Sequence, residues 1–486
     1  MAFTTSLPLA LRPETTRRLL PFISPQFAQE ATCLKNALRV ASVFMLAALC
    51  LAGLLADVAR AQEPSDAFEK WAGARAIRLR TVEAGGDTMD LLPLRSVVGA
   101  SRVVALGEPT HGAHEPLAFR NRLIRFLVEQ MGFTAVALET GFTESSSVER
   151  FVAGGPGELH NVVSDGMTWG FGQLTENEEL IQWIREYNAN TTHHRKVRFY
   201  GLDLSLGNRG ALPASRGTVD FALEFLARAD PAAASGIRQG LDPLLDRFSE
   251  VKYSELSRTE RDRLASGLVE VAAALERKRS SLVRISSDEE YQWALHSVAA
   301  ARQVDLFFEV APPPAAPGQR IRPDAYRSMN ARDSAMADNV RWVLEREGPN
   351  GRLVVFAHNA HVMNSLREGG IWSALRQPPS AMGKFLRAML GRDLLVVGAT
   401  AGATAGALSP MEVDPTSVDA ALARVTIPRF ILDLRPARDE PPVFAWLSEP
   451  RTLHANLTTH NIVTPITAFD ALFFVGALTP AGARQP

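Results

Sequence analysis

Cysteine is almost missing: the 486 residues contain two. That is too few for a disulfide framework or a four-thiolate zinc cluster. Charge of one sign is not in excess either. The 52 basic and 53 acidic side chains leave a net charge of −1, which excludes a basic nucleic-acid footprint and a polyanionic disordered chain. Several catalytic signatures are absent as well: the glycine-x-serine-x-glycine elbow, the P-loop, the dinucleotide glycine fingerprint after a strand, and the His-Glu-x-x-His zinc helix. Without a serine elbow, hydrolysis by this chain would most simply use water activated by histidine or by a metal. What remains is an apolar content of 46%, ample for a core, in a length that suits one large α/β domain with a helical insertion or several smaller units.

One long uncharged run is present, Val40 to Ala56, preceded by Lys35 and Arg39 and followed by Ala59-Arg60-Ala61. This order of charged, apolar and small-residue regions is that of a secretory signal peptide cut after Ala61. Seventeen residues is also the lower limit for a membrane anchor, but the small-residue site directly behind the run favours cleavage. Both cysteines, Cys33 and Cys50, precede the cut. Residues 1–61 carry six basic and three acidic side chains, so residues 62–486 keep 46 against 50, a net of −4. The expected mature protein is therefore thiol-free, periplasmic or secreted, and without stable membrane insertion. Its chemistry falls to histidine and carboxylate.

Along residues 62–486, short β-branched and apolar runs alternate with helical periodicity. Arg102–Gly107, Thr134–Leu138, Arg195–Leu204 and Arg352–Ala357 read as buried parallel strands, and Asp393–Gly398, Arg429–Leu434 and Ala471–Ala477 as later ones. Apolar positions from Leu117 to Val128 recur at helical spacing, and Gly132 caps that helix. A further helix spans about Arg332–Glu347. Residues 219–310 are largely helical in period and read as an insertion, followed by the Pro-rich loop Ala311–Pro317. The predicted class is α/β: a mostly parallel central sheet flanked by helices, with a large helical insertion.

Ligands of such sheets gather at the carboxyl ends of the strands, and the informative residues fall there. Gly107-Glu108-Pro109-Thr110-His111-Gly112-Ala113-His114-Glu115 leaves the first strand, with Arg120 beyond. Glu108 and His111 are three residues apart, so the carboxylate is able to fix the imidazole tautomer and raise its basicity. Glu139 ends the second strand. His358-Asn359-Ala360-His361 ends another, where histidines three apart suit metal ligation, acid catalysis or polarisation of a carbonyl. His114 and Glu115 are candidates for substrate binding, although Glu115 also simply favours a helix N-terminus.

Together, Gly107-Glu108-Pro109-Thr110-His111-Gly112 with Glu115 and Arg120, Leu138-Glu139-Thr140-Gly141, and His358-Asn359-Ala360-His361 resemble the erythromycin esterase family. Weaker echoes are Arg332-Asp333 with Met336, Ala337 and Asn339, then Met382-Gly383, and Ala468 to Leu472. The resemblance implies an α/β core with helical additions around a deep cleft, and opening of a macrolide lactone or another carboxylic ester by water without a covalent acyl intermediate. His111 would be the general base, with Glu108 and Glu139 orienting it or the water. Arg120 would pair with those carboxylates or steady the oxyanion, and His358 and His361 would polarise the carbonyl or protonate the leaving alcohol. The implied partner is a small-molecule ester; no cofactor is required, though the same donors suit a divalent ion. Two rival readings use the same residues: a metal-dependent hydrolase of an envelope-related substrate, and a non-enzymatic periplasmic binder of haem or another ligand.

Overall fold

A computed structural model of the chain describes residues 65–209, 212–312, 321–406, 408, 414–455 and 459–482. The expected signal segment, residues 1–61, lies outside them. Among the described residues, no helix is long and apolar enough to cross a membrane.

Ten strands matter for the site: β1 (Ile77–Arg78), β2 (Val103–Glu108), β3 (Ala135–Gly141), β4 (Arg198–Asp203), β5 (Leu353–His358), β6 (Leu394–Ala401), β7 (Arg429–Asp433), β8 (Arg451–Ala455), β9 (Thr459–Val463) and β10 (Ala471–Val475). Eight of them form one sheet in the order β1-β7-β10-β6-β2-β5-β3-β4. The pairs from β10 across to β4 are all parallel, while β7 runs against both β10 and β1. β8 and β9 make a separate antiparallel hairpin. The mostly parallel α/β reading stands.

The parallel strands β2, β5 and β6 are buried along their whole length, which is why they read as unbroken apolar runs rather than alternating ones. Alternate side chains serve opposite layers. Val103, Ala105, Val355 and Ala137 pack into one layer with Met336 and Trp293. Val104, Leu106, Val354 and Val136 pack into the other, against Leu123, Ile124 and Leu127. Those last three belong to α1 (His114–Met131), which Gly132 ends in the left-handed region at φ 70°.

Helices α2 (Ala214–Ala227), α3 (Pro231–Leu245), α4 (Arg258–Arg277) and α5 (Asp288–Val310) follow β4. They share a core of their own around Leu223, Leu245, Leu268 and Val298. The helical stretch begins at Ala214, five residues before the expected boundary. α6 (Tyr326–Glu347) returns the chain to β5. It starts ahead of the expected Arg332 because Pro323 opens a 3-10 turn, Pro323–Ala325, that feeds directly into it.

Candidate active site

The register of β2 and β5 sets Glu108 beside His358 at the carboxyl ends of adjacent strands. Gly107 makes this possible: a Cβ there would lie 2.1 Å from Oδ1 of Asn359. The Asn359 side chain bridges to β6, donating to the Ala399 carbonyl at 2.6 Å and accepting from the Ala399 amide at 3.0 Å. β3 reaches the same edge through a bulge. Its pairing with β4 runs regularly to Leu138 opposite Gly201, then resumes at Gly141 opposite Asp203, so Glu139 and Thr140 together face Leu202. A bulge re-aims a side chain, and here it delivers Glu139. Gly201 permits it, since a Cβ would meet the Gly141 and Thr140 carbonyl oxygens at 2.5 and 2.6 Å.

These strand ends floor a cleft of about 650 Å³ whose lining includes His111, Glu139, Arg332, His358, His361 and Arg367. His111 Nδ1 lies 2.6 Å from Glu108 Oε1. Among the described residues its Nε2 has no partner. Burial works against protonation of His111, but the hydrogen bond and charge of Glu108, helped by Glu139, raise its pKa to about 9. Phe171 and His358 flank the ring, each with its centroid at 5.1 Å.

His358 is of a different kind. The Ala360 amide donates to its Nδ1 at 3.1 Å, and its Nε2 lies 3.2 Å from the Pro109 carbonyl. These partners assign the Nε2–H tautomer, and with burial and the neighbouring His111 the pKa falls to about 3. His358 is thus a neutral strut, and its backbone amide donates to Glu139 Oε2 at 2.8 Å.

Glu139 sits in a chain of alternating charge. Its Oε1 accepts from Arg332 Nη2 at 3.1 Å and lies 3.2 Å from His361 Nε2. Burial resists ionisation of Glu139, yet His361, Arg332 and His111 hold its pKa well below the usual carboxylate range. His361 Nδ1 lies 2.9 Å from Asp333 Oδ1, and Arg367 pairs with the other oxygen of Asp333. Burial lowers the His361 pKa, but Asp333 and Glu139 outweigh it and the net shift is upward. Arg332 also grips Asp203 at the end of β4, through Nε at 2.9 Å and Nη2 at 2.5 Å. Each buried charge in this chain of contacts has an opposite charge beside it, as burial requires.

Of the eight residues expected at the site, Glu108, His111, Glu139, His358 and His361 meet at this edge. Arg120 stands behind it. Its guanidinium donates to Asn121 Oδ1 at 3.0 and 2.8 Å, lies over the Phe356 ring at 4.7 Å, and faces a small void shared with Glu108. It does not line the cleft. His114 and Glu115 are turned away, because α1 begins at His114 and its first turn points at neighbouring segments. His114 bonds Glu176 at 2.7 Å and Glu83 at 3.0 Å, while Glu115 accepts the Thr479 amide and hydroxyl at 2.8 and 2.7 Å. The weak Arg332-Asp333 echo falls inside the site, but Met382-Gly383 serves packing: a Cβ on Gly383 would overlap the Val362 carbonyl. Trp169, Arg367 and Trp372 were not anticipated. Among the described residues, no group of three or more His, Cys, Asp or Glu side chains is arranged to hold a metal ion.

Residues 128–477 match the family described as Erythromycin esterase. An erythromycin esterase type II from Escherichia coli is 29% identical over 363 residues, 71% of this chain and 80% of that protein. A solved protein from Bacillus cereus superposes with a TM-score of 0.71 at 24% identity, covering 87% of this chain and 99% of that one. An erythromycin esterase mutant solved in an open conformation gives 0.60 at 18% identity, covering 83% and 98%. Both solved structures share the fold.

Proposed function

Because the chain belongs to the erythromycin esterase family, we propose that it hydrolyses a carboxylic ester by direct attack of water, with His111 as general base. The observation that carries this reading is the Glu108–His111 pair: a 2.6 Å contact engages Nδ1 and, among the described residues, leaves Nε2 free on a ring that lines the cleft. Glu108 fixes the tautomer, so Nε2 takes a proton from water as the water oxygen adds to the ester carbonyl. The carbonyl oxygen then carries the negative charge. Arg332, which lines the cleft, stabilises it, such a donor being worth about 2.7–4 kcal/mol of transition-state stabilisation. His361, held through both nitrogens by Asp333 and Glu139, positions the Glu139 carboxylate. As the carbon–oxygen bond breaks, the proton on His111 passes to the departing alkoxide, giving a free acid and an alcohol. Glu139 keeps Arg332 in place and stays ionised throughout.

Both nitrogens of His358 and of His361 are engaged by the protein, which weighs against their ligating haem iron or a catalytic metal. We further propose that residues 1–61 export the protein; a fractionated host should yield a periplasmic chain beginning at Gln62. The assay for the activity uses purified protein in the presence of EDTA with aryl acetates and with erythromycin, beside His111→Ala. Turnover of either substrate that is lost in His111→Ala is expected. Equal turnover by the variant refutes the role of His111, and no turnover of any ester by the wild type refutes the reading.

A further inference from the structure

Two tryptophans line the cleft, and they are built in the same way. Trp169 donates its indole N–H to Asp203 Oδ2 at 3.1 Å, and its ring covers the Arg332 guanidinium at 5.5 Å. Trp372 donates to Asn461 Oδ1 at 2.7 Å, and its ring covers the Arg367 guanidinium at 5.3 Å. Each ring is therefore fixed by its N–H and backed by an arginine that neutralises a buried carboxylate. Neither indole is needed to complete the charge network, since Arg332 and Arg367 already have their carboxylates.

Trp169 is also held at a cost. Its φ of 62° lies in the left-handed region, where a bulky non-glycine side chain is strained and persists only if its surroundings over-determine it. Yet the residue remains 48% exposed. A large apolar ring kept rigid, strained and half in solvent within a cleft is arranged to receive something. Beside Trp372, the wall turns polar. Asn461 and Thr459, both on β9, line the same cleft, and among the described residues the amide Nδ2 of the fully buried Asn461 has no acceptor.

We propose that Trp169 and Trp372 determine specificity, and that the ester they receive is carried on a saccharide: an O-acylated pyranose. This deepens the esterase reading and rests on it. A pyranose presents C–H faces and oxygen edges. Indole faces set beside an amide donor and a hydroxyl match both, whereas an aryl ester has no oxygen beyond its reacting carboxyl group to offer the unpaired amide. The ring stacks on indole, an oxygen edge meets the β9 side, and the acyl carbonyl reaches His111.

The test separates binding from turnover. Isothermal titration of the full chain compares methyl N-acetylglucosaminide, an amide that this chemistry does not hydrolyse, with N-phenylacetamide. The sugar should bind at least tenfold more tightly. Trp169→Ala and Trp372→Ala should each weaken it by about tenfold, while Trp169→Phe and Trp372→Phe, which keep a ring, stay within threefold of wild type. Equal or tighter binding of N-phenylacetamide, no binding of the sugar, or alanine variants that bind as wild type would each overturn the proposal. Hydrolysis of phenyl acetate is scored separately. Its absence in the wild type sinks the esterase reading, while the titration still judges the sugar site.

Discussion

The pKa of His111, raised to about 9, makes a strong demand on any mechanism that uses it as a base. At pH 7 a group of that pKa is neutral in only about 1% of molecules, and at pH 8 in about 10%. If free imidazole is the reactive form, kcat/KM must climb about tenfold per pH unit from 6 to 8 and level off above 9. Glu108→Gln keeps an acceptor for Nδ1 but removes the charge, so the inflection should fall toward the ordinary histidine value near 6.5. A weaker base should also lower the plateau, by about 10–100-fold. The deficit of the variant is then greatest at pH 9 and shrinks toward neutrality, where more of its imidazole is free. Stability moves the opposite way. The folded-state pKa lies above the unfolded one, so the pair's contribution is complete below about pH 6.5 and fades as pH rises through 9. Initial rates with an aryl acetate from pH 5.5 to 10, corrected with His111→Ala, supply the measurement. A wild-type profile that is flat from pH 6 to 9, or a Gln variant with an unshifted inflection, refutes the assignment.

Further perturbations probe what surrounds the pair. Arg332→Met strips the counter-charge from Glu139 and from the fully buried Asp203; urea unfolding should show a loss of about 3 kcal/mol, and kcat should fall about 100-fold. A kcat near wild type in a folded Arg332→Met protein would rule out its part in stabilising the oxyanion. Gly201→Ala forces its Cβ into the carbonyls of the β3 bulge, so a penalty of about 1–3 kcal/mol should accompany loss of turnover as Glu139 shifts. An alanine variant that is both stable and fully active would show that the bulge tolerates a side chain. Arg120→Met, behind the floor, should lower stability far more than kcat, and the reverse ratio would return Arg120 to the reaction. Dialysis against EDTA should leave kcat unchanged; activity lost on chelation and restored by zinc would replace this mechanism with a metal-dependent one.

What sequence alone reveals here depends on whether a residue's role is set by near neighbours. Val103 to Leu106 and Leu353 to Phe356 are apolar on both faces, so the buried strands announce themselves. Glu108 and His111 act together across three residues, and His358 lies at a strand end that is legible in the same way. The β8–β9 hairpin escapes, because Arg451–Ala455 and Thr459–Val463 are short and largely polar. The aim of Glu139 escapes too. The strand is legible as far as Glu139, but only pairing with β4 past Gly201 creates the bulge that turns that residue inward. His114 and Glu115 show the converse error: adjacency to His111 in the chain suggested adjacency in space, but a helix starting at His114 sends both toward other partners. Arg332 is 193 residues from Glu139, and nothing local marks that arginine as its counter-ion. The Glu108–His111 pair is thus encoded locally, while the charge balance and aromatic walls of its cleft are products of topology. Substitutions at Arg332, Trp169 and Trp372 therefore carry the most information about what this cleft accepts.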